Sequence, residues 1–291
     1  MAAPLVTIAM PVRNAGRTLA ASLRSVLAQT FTDWEFLVID DGSTDAGTTL
    51  VGDIHDVRVR LFRHAESLGL AARLNQAISV ARGRFFARMD ADDIAYPQRI
   101  EAQVKFMLEN PGCDLVGCGA VVFDDAGRLR GRFPRRLTHE EIRAHPWRGF
   151  FLPHPTWLGK TDWFARHRYL NRYKKTQDQD LLLRTFDCSS FASVDRILLG
   201  YRQDRRTVSK SLVGRIYFSR SIAREAWRRR DFAGGLRGLA GQGAKGLADA
   251  IAIPLGFDRL LRRREDGPTA AEAAEWAAVW TACTKDGVER A

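Results

Sequence analysis

Three acidic side chains follow a short apolar run in the first third of the chain. Residues 85–87 predict a buried strand, and Asp90, Asp92 and Asp93 come directly after it. Crowded carboxylates repel one another unless a cation or hydrogen-bond donors lie between them. Oxygen ligands of this kind suit Mg²⁺ or Mn²⁺, which keep positions open for phosphate. The alternative is an acidic turn that caps a helix beginning near residues 96–97.

The elements that must hold these acids alternate along the chain. Apolar, β-rich runs predict strands, and apolar residues at helical spacing between them predict helices. This alternation favours a mostly parallel sheet that is covered on both faces. In such sheets ligands bind outside the carboxyl ends of the strands. The predicted strands cover residues 5–10, 35–39, 57–62, 85–86 and 115–123.

Two further polar clusters are predicted at the same edge of the sheet. Pro11-Val12-Arg13-Asn14 closes the first strand, and Asp40-Asp41-Gly42-Ser43 closes the second. Three polar clusters at neighbouring strand ends predict a binding site. Asp-Gly-Ser is also strong turn chemistry, and the two interpretations are compatible.

Length and composition predict an ordinary globular protein. A chain of 291 residues with 45% hydrophobic residues can form one large domain, or one domain with an appendage. It has neither a run of about 20 uncharged apolar residues nor a signal-peptide pattern, so we expect it to stay in the cytoplasm. The four cysteines have no Cys-x-x-Cys spacing, which predicts reduced thiols and neither a zinc site nor a disulfide framework.

The net charge of +11 is unevenly distributed. Residues 1–210 carry 31 basic and 24 acidic side chains, whereas residues 211–264 carry 12 and 4. The dense positive charge of the second segment suits an anionic partner, which could be a phosphate-rich substrate, a membrane surface or nucleic acid.

The C-terminal third predicts helices that carry this charge. A helical face near residues 216–226 precedes a glycine-rich stretch, residues 234–246, which we expect to break the helix. The apolar run 250–257 is too short to span lipid, and Arg262-Arg263-Arg264 follows it. Such a segment can lie on an anionic membrane surface, or it can form a solvated helical pair packed on the rest of the protein. A last helix over 270–282 would place Trp276 and Trp280 on one face.

The polar clusters belong to a longer series of motifs. In order, this series resembles family 2 glycosyltransferases over roughly residues 4–210. The resemblance implies an α/β GT-A fold, Rossmann-like with a mostly parallel sheet flanked by helices, in residues 1–210, and leaves residues 211–291 as a basic helical appendage. It also implies a nucleoside diphosphate sugar, Mn²⁺ or Mg²⁺, and inversion at the anomeric carbon. The motifs are residues 9–14, 25–31, 38–45, 87–93, 97–103, 154–156, 177–184 and 201–202.

The resemblance also implies roles for individual residues. Asp90 and Asp92 would hold the metal ion, which neutralises the leaving diphosphate. Asp178 would be the catalytic base that takes the proton of the acceptor hydroxyl. The donor would contact Pro11, Arg13, Asp40, Asp41, Asp90 and Arg202.

Some of these roles have alternatives. Gln177 stands where the family more often has Glu, and Asp178 and Asp180 could both simply cap a helix that starts near residue 181. Arg202 could close over the diphosphate or form a surface salt bridge. Asp204 stands where the family usually has His, so the resemblance does not imply closure of residues 201–209. Other candidates with structural alternatives are His154, Arg73 and Asn75.

The resulting prediction is a metal-dependent inverting glycosyltransferase that uses a UDP-sugar and a saccharide or lipid-linked saccharide acceptor. A sugar nucleotidyltransferase would need a glycine-rich loop after the first strand, where this chain has only Gly16. A non-catalytic basic module for nucleic acid or membrane would have no need of Asp92 or Asp178. We expect no nucleic-acid partner, and a peripheral contact with the inner face of a membrane is the remaining possibility for the basic segment.

Overall fold

The computed structural model describes residues 3–203, 207–256 and 267–284. Its centre is a nine-stranded sheet in the order β3-β2-β1-β4-β8-β6-β9-β5, with β7 paired to β6. The strands are β1 Val6–Val12, β2 Trp34–Asp41, β3 Val59–His64, β4 Phe85–Arg88, β5 Ile94–Ala95, β6 Leu115–Phe123, β7 Leu129–Arg132, β8 Leu158–Lys160 and β9 Phe191–Arg202.

Helices cover the sheet and continue past it. Short 3₁₀ helices occupy Pro146–Arg148 and His154–Thr156. The α-helices are α1 Leu19–Leu27, α2 Thr49–Gly52, α3 Leu70–Val80, α4 Arg99–Glu109, α5 His139–Arg143, α6 Thr161–Arg166, α7 Gln177–Thr185, α8 Val208–Arg229, α9 Phe232–Ala252 and α10 Ala270–Thr284.

The N-terminal half of the sheet is parallel and brings the polar clusters to one edge. Strand β1 lies between β2 and β4, with Val12 beside Asp40 and Ala9 beside Arg88. Strand β8 then joins β4 and β6 by antiparallel pairs, and the long β6–β9 ladder is parallel again. Since β1, β2 and β4 run in one direction, their carboxyl ends share an edge, as the sequence predicts.

Alternate residues of each strand face opposite helical layers. On β1, Ile8 packs with α1, α4 and α10, whereas Ala9 packs with α3, α6, α7 and the middle of α8. Strand β2, between β3 and β1, is buried along its whole length, Trp34–Asp41. A strand buried on both faces explains the continuous apolar run that predicted it.

The expected glycine-rich break is wrong. Residues 234–246 lie inside the 21-residue helix α9. Helix propensity disfavours so many glycines, but packing overrides it here. A Cβ on Gly235 would lie 2.4 Å from the Ala226 Cβ of α8, and one on Gly238 would lie 2.9 Å from the Trp147 carbonyl oxygen. The glycines therefore let α9 lie directly against α8 and the loop before β8.

The terminal helix α10 belongs to the core of the sheet. Trp276 is 2% exposed, its Nε1 donates to the Gly127 carbonyl oxygen at 2.7 Å, and its ring packs on Phe123 with centroids 4.6 Å apart. Trp280 packs on the same Phe123 ring, so the prediction that both indoles share one face is confirmed. The division of the chain at residue 210 stays a prediction.

Two expectations concern residues outside the described part of the chain: the arginine run 262–264 and the substitution at Asp204. Among the described helices, none combines the length and the apolar character that a membrane crossing needs. Cys113, Cys118, Cys188 and Cys283 are free thiols, and all but Cys188 are buried.

Candidate active site

An acidic cluster stands just beyond the carboxyl end of β4. Asp90, Asp92 and Asp93 each offer a carboxylate oxygen, and these three atoms lie within 4.8 Å of one another. Asp93 is fully buried; its Oδ1 accepts from the Arg202 backbone N–H at 2.8 Å, and its Oδ2 has no hydrogen-bond partner among the described residues. A buried carboxylate oxygen without a donor fits a site for a hard cation.

The electrostatics of the cluster indicate the same ligand. Desolvation and the Asp90 charge raise the pKa of Asp92 to about 6. Burial, with the charges of Asp90 and Asp92, raises the pKa of Asp93 well above the usual aspartate range. Three carboxylates that hinder each other's ionisation are stabilised by a divalent ion, whose charge is the largest in such a site. Asp90, Asp92 and Asp93 together could therefore hold a divalent cation.

A buried arginine forms an ion pair with one acid of the cluster. Arg88, the last residue of β4, donates from its Nη2 to Asp90, while its Nε and Nη1 have no hydrogen-bond partner within the described chain. Burial of the guanidinium opposes its charged form, but the Asp90 charge, the hydrogen bond to Asp90 and the charges of Tyr169 and Asp93 together outweigh it, so the pKa of Arg88 is raised and it stays charged. Sequence reasoning gave Arg88 no role; the signal was a charged residue between the predicted buried strand and the acids that follow it.

Arg202 lies behind the acidic cluster. Its Nε donates to the Asp92 carbonyl oxygen at 2.9 Å, and its Nη1 pairs with Asp125 at 3.0 Å. The guanidinium stacks on the Phe123 ring with its carbon 4.7 Å from the centroid. In this arrangement Arg202 positions the backbone of the acidic cluster, and its predicted contact with the donor stays a prediction.

The Asp40-Asp41 pair organises the neighbouring loop. Asp41 accepts four hydrogen bonds, from Ser67 Oγ, the Leu68 and Gly69 backbone N–H groups and Arg73 Nε, at 2.6–2.9 Å. Burial opposes these bonds, but they prevail and lower the pKa of Asp41. The carboxylate therefore stays ionised and fixes the turn before α3.

Asp40 accepts fewer hydrogen bonds than Asp41. It accepts from the Ser43 backbone N–H at 2.9 Å and from Thr48 Oγ1 at 3.0 Å. Next to it, Asn14 joins the ends of β1 and β2, because its N–H donates to Ser43 Oγ and its Oδ1 accepts from the Thr44 N–H at 2.8 Å. Asn14 has φ of 52°, a left-handed conformation that asparagine tolerates better than most residues.

Two adjoining cavities surround these strand ends. The Asp41 cavity, about 480 Å³, is lined by Pro11, Arg13, Asp41, the loop 67–71 and Tyr173. The metal-side cavity, about 300 Å³, is lined by Pro11, Arg13, Asp90, Asp92 and Arg202 among others. Pro11 and Arg13 line both, and Arg13 is exposed with no ion-pair partner in the described residues. The structure thus brings Pro11, Arg13, Asp41, Asp90, Asp92 and Arg202 together around one continuous cleft.

Asp178 and Asp180 have different environments although they share the first turn of α7. Asp180 is fully buried and accepts from Arg184 Nε at 2.9 Å and from Ser221 Oγ and Arg224 Nη2 at 2.8 Å. It joins α7 to α8 and has no accessible oxygen for a substrate.

Asp178 is partly exposed and has one side-chain contact, from Gln179 Nε2 at a long 3.3 Å. Burial raises the pKa of Asp178, and hydrogen bonds from Gln179 and the Arg88 charge oppose this only in part. A raised pKa and open hydrogen-bonding capacity are what a general base needs.

Other sequence candidates are structural. His154 is buried, its Nε2 lies 2.8 Å from Tyr169 Oη, and burial together with the Arg88 charge lowers its pKa well below the usual value. Asn75 holds the Tyr169 backbone through both atoms of its side-chain amide. Arg73 is the ion-pair partner of Asp41 at 2.6 Å. All three side chains are held by these contacts within the protein.

A third cavity adjoins Asp92 on the side of α8. This α8 cavity, about 530 Å³, is lined by Asp92, Gln179, Arg202 and the first turns of α8, together with residues of α9. Five basic side chains contribute to its wall: Arg148, Arg202, Lys210, Arg215 and Lys245. Sequence reasoning assigned the positive charge of this segment to a partner but did not place it beside the acidic cluster.

Comparison with known proteins gives the family of this chain. The family model described as glycosyl transferase family 2 matches residues 7–199. EpsE of Bacillus subtilis, described as a glycosyltransferase, is 33% identical over 191 residues, 63% of this chain and 67% of EpsE. The UDP-Glc:alpha-D-GlcNAc-diphosphoundecaprenol beta-1,3-glucosyltransferase WfgD of Escherichia coli is 36% identical over 140 residues, 47% of this chain and 54% of WfgD.

Solved structures share the fold at low sequence identity. The S. aureus TarS fragment in complex with UDP-GlcNAc matches with a TM-score of 0.62 at 15% identity over 96% of this chain and 81% of that one. The mannosyltransferase PcManGT of Pyrobaculum calidifontis, in complex with GDP-Man and Mn²⁺, matches with a TM-score of 0.62 at 17% identity over 97% and 86%. The predicted GT-A fold is confirmed, and the chain belongs to glycosyl transferase family 2.

Proposed function

We propose that this glycosyltransferase is metal-dependent and inverting, with a UDP-sugar as donor and a saccharide or lipid-linked saccharide as acceptor. The observation that carries the proposal is the acidic cluster, whose crowded carboxylates face a cavity that continues past Arg13 into the Asp41 cavity. A nucleoside diphosphate with its metal ion matches this arrangement, because the nucleoside can occupy the Asp41 cavity while the diphosphate and the ion occupy the metal-side cavity.

The donor fits this cleft in one direction. The nucleoside would lie in the Asp41 cavity beside Pro11, with the Asp40-Asp41 turn near the base. Arg13, at the junction, would meet the diphosphate, since a guanidinium suits phosphate oxygens. Asp90 and Asp92 would hold the ion that the diphosphate shares. When bound, the ion stabilises negative charge on the leaving diphosphate.

The acceptor would approach from the other side of the acidic cluster. In the proposed reaction Asp178 takes the proton of the acceptor hydroxyl as its oxygen attacks the anomeric carbon opposite the diphosphate. Arg88 donates to Asp90, and its charge opposes the effect of burial on the pKa of Asp178, which favours the ionised form that a base needs.

The relatives support the choice of donor and acceptor. WfgD is named for a UDP-Glc donor and a diphosphoundecaprenol-linked acceptor, and TarS was solved with UDP-GlcNAc, whereas PcManGT was solved with GDP-Man and Mn²⁺. We propose a UDP-sugar and Mn²⁺ on this basis. The basic helices α8 and α9 support the further expectation of a cytoplasmic enzyme in peripheral contact with the inner face of a membrane.

The nucleotidyltransferase alternative finds no support at the β1–α1 turn. The Gly16 N–H donates to Asp45 Oδ2 at 2.8 Å, and Gly47 lies directly against Gly16. That amide is therefore taken by a carboxylate and does not face a phosphate. A phosphate-binding loop would need its N–H groups directed at the ligand.

The test is donor binding with and without metal. UDP-glucose, UDP-GlcNAc and GDP-mannose are titrated by calorimetry in Mn²⁺ and in EDTA. We expect one UDP-sugar to bind in Mn²⁺ only, and Asp92→Ala to remove that metal-dependent affinity without changing the thermal unfolding of the protein by more than a few degrees. Asp162→Ala, an exposed acid in the first turn of α6, is the matched control. Undiminished metal-dependent affinity in Asp92→Ala would overturn the assignment.

A further inference from the structure

The exposed apolar side chains of this protein concentrate on two helices. In the described chain, eight of the twelve exposed large hydrophobic residues lie in α8, α9 or the turns that follow them. Two of them, Ile216 of α8 at 53% and Leu247 of α9 at 66% exposure, line one groove between the helices. Contiguous exposed apolar patches on a protein surface often mark binding sites for proteins, membranes or ligands.

A groove runs between the two helices at this patch. The α8–α9 groove, about 640 Å³, is lined by Leu212, Ile216, Ala223, Gly243, Leu247 and Ala250 among others. The groove has free space beside Gly243, where an added Cβ would meet no atom within 4 Å. Gly243 belongs to the glycine-rich stretch that was predicted to break the helix, and it leaves space along one face of α9.

The groove continues into the α8 cavity. Arg215 and Gln242 line both, and they are bonded to each other at 3.3 Å. Arg215 also pairs with the buried Asp249 of α9, which fixes the two helices at this point. One path thus leads from Asp92, through the α8 cavity and across Arg215, into an apolar groove on the surface.

The α8 cavity between these ends is positively charged. Lys210 stands in the first turn of α8, where the aligned backbone N–H groups add positive potential. Lys245 of α9 lies across from it, with its Nζ donating to the Arg148 carbonyl oxygen at 3.2 Å. Phosphate oxygens are the ligands that such a combination of lysines and a helix N-terminus favours.

We infer that this path binds the acceptor, and that the acceptor is an anionic amphiphile: a saccharide joined through a phosphate or diphosphate to an apolar chain. The sugar lies at the acidic cluster, the phosphate at Lys210 and Lys245, and the chain in the α8–α9 groove. The inference rests on the proposed function for the sugar end. Its distinct content is the assignment of the phosphate and chain positions to α8 and α9.

Binding of substrate analogues tests the path without the transfer reaction. Farnesyl diphosphate carries both an apolar chain and a diphosphate, inorganic pyrophosphate carries only the anion, and dodecyl maltoside carries only the chain and neutral sugars. Each is titrated into the full-length protein by calorimetry below its critical micelle concentration. EDTA is present, so that no metal ion can bring a diphosphate to Asp90 and Asp92. We expect farnesyl diphosphate to bind at least about tenfold more tightly than either partial analogue.

Two pairs of variants locate the binding. Gly243→Phe fills the groove, whereas Gly241→Phe adds the same side chain at another open position of α9 outside it. We expect Gly243→Phe alone to remove the tenfold advantage of farnesyl diphosphate over pyrophosphate. Lys245→Gln should weaken both anions by roughly fivefold, on the scale of a partly exposed charged contact. Arg237→Gln removes the same charge from an exposed position of α9 and should change neither.

The inference is overturned if farnesyl diphosphate binds no better than dodecyl maltoside, or if the two glycine variants behave alike. Dihexanoyl phosphatidylglycerol separates an acceptor site from a general lipid surface, and equal affinity for it would assign the path to membrane lipids. UDP-sugar binding in Mn²⁺, measured on the same variants, reports on the proposed function separately. It should be unchanged in Gly243→Phe, so that failure of one proposal does not conceal the other.

Discussion

The two acids at the start of α7 give the sharpest test of the proposed mechanism. Asp178→Asn is nearly isosteric and removes only the ability to accept the acceptor proton. Asp178 has one long side-chain hydrogen bond and no ion-pair partner in the described residues, so the free energy of unfolding should hardly change. General base catalysis contributes about 10²-fold or more, which is roughly 2.7 kcal/mol of transition-state free energy. We therefore expect a large loss of kcat with normal donor affinity.

Asp180→Asn should have the opposite profile. It neutralises a buried carboxylate that pairs with Arg184 and Arg224, whose side chains are 20% and 27% exposed. Loss of a buried pair costs about 3–5 kcal/mol, and the partial exposure of both arginines places this case near the lower end. A loss of about 3 kcal/mol lowers the unfolding temperature by roughly 5–10 °C. We expect kcat of the folded fraction to fall much less than in Asp178→Asn.

The assay measures release of nucleoside diphosphate with a chosen donor and acceptor, and differential scanning calorimetry on the same samples. Donor affinity is measured by titration in Mn²⁺, so that loss of binding is separated from loss of turnover. If Asp180→Asn abolishes transfer at a temperature where it is folded while Asp178→Asn remains active, the base is misassigned.

Three further predictions concern the metal, the donor and the core. Because protonation of Asp92, whose pKa is raised to about 6, competes with the metal ion, Mn²⁺ affinity should fall as the pH drops below about 6; calorimetric titration at pH 5, 6 and 7.5 that gives equal affinities would contradict this. Arg13→Gln should weaken UDP binding by roughly tenfold and uridine binding hardly at all, and equal losses for both would place Arg13 away from the diphosphate. Trp276→Ala should lower the free energy of unfolding by about 3–5 kcal/mol, measured by urea denaturation, and a loss below about 1 kcal/mol would show that α10 does not complete the core.

The order of elements and the position of the site could be predicted because both depend on local patterns. Alternating apolar runs gave the parallel strands, and the rule for strand ends placed residues 11–14, 40–43 and 90–93 on one edge. The resemblance then supplied the GT-A fold and the roles of individual acids. The order of the strands along the chain and the position of the polar clusters could be predicted because each is determined by a short segment and its immediate neighbours.

What could not be predicted depends on contacts between distant segments. The glycines of α9 look like a break until Ala226 of α8 and Trp147 are placed against them. Asp178 and Asp180 lie in one helical turn, and their different burial depends largely on the approach of Ser221 and Arg224 of α8 to Asp180. The position of Arg202 behind the acidic cluster, with Asp125 as its partner, likewise follows from the pairing of β9 with β6.

The packing of α10 has a consequence for how this protein is made. The Arg24 guanidinium of α1 donates to the Cys283 carbonyl oxygen at 3.0 Å, a contact between residues 259 positions apart. During synthesis the chain emerges from the N-terminus, so the last strand of the sheet, which ends at Arg202, is made before α10, and until α10 emerges the sheet has an uncovered apolar strip where Trp276 will pack. Ribosome-bound intermediates that lack α10 should therefore recruit chaperones, and a premature stop before residue 270 should yield an aggregating product even though every predicted site residue has been translated.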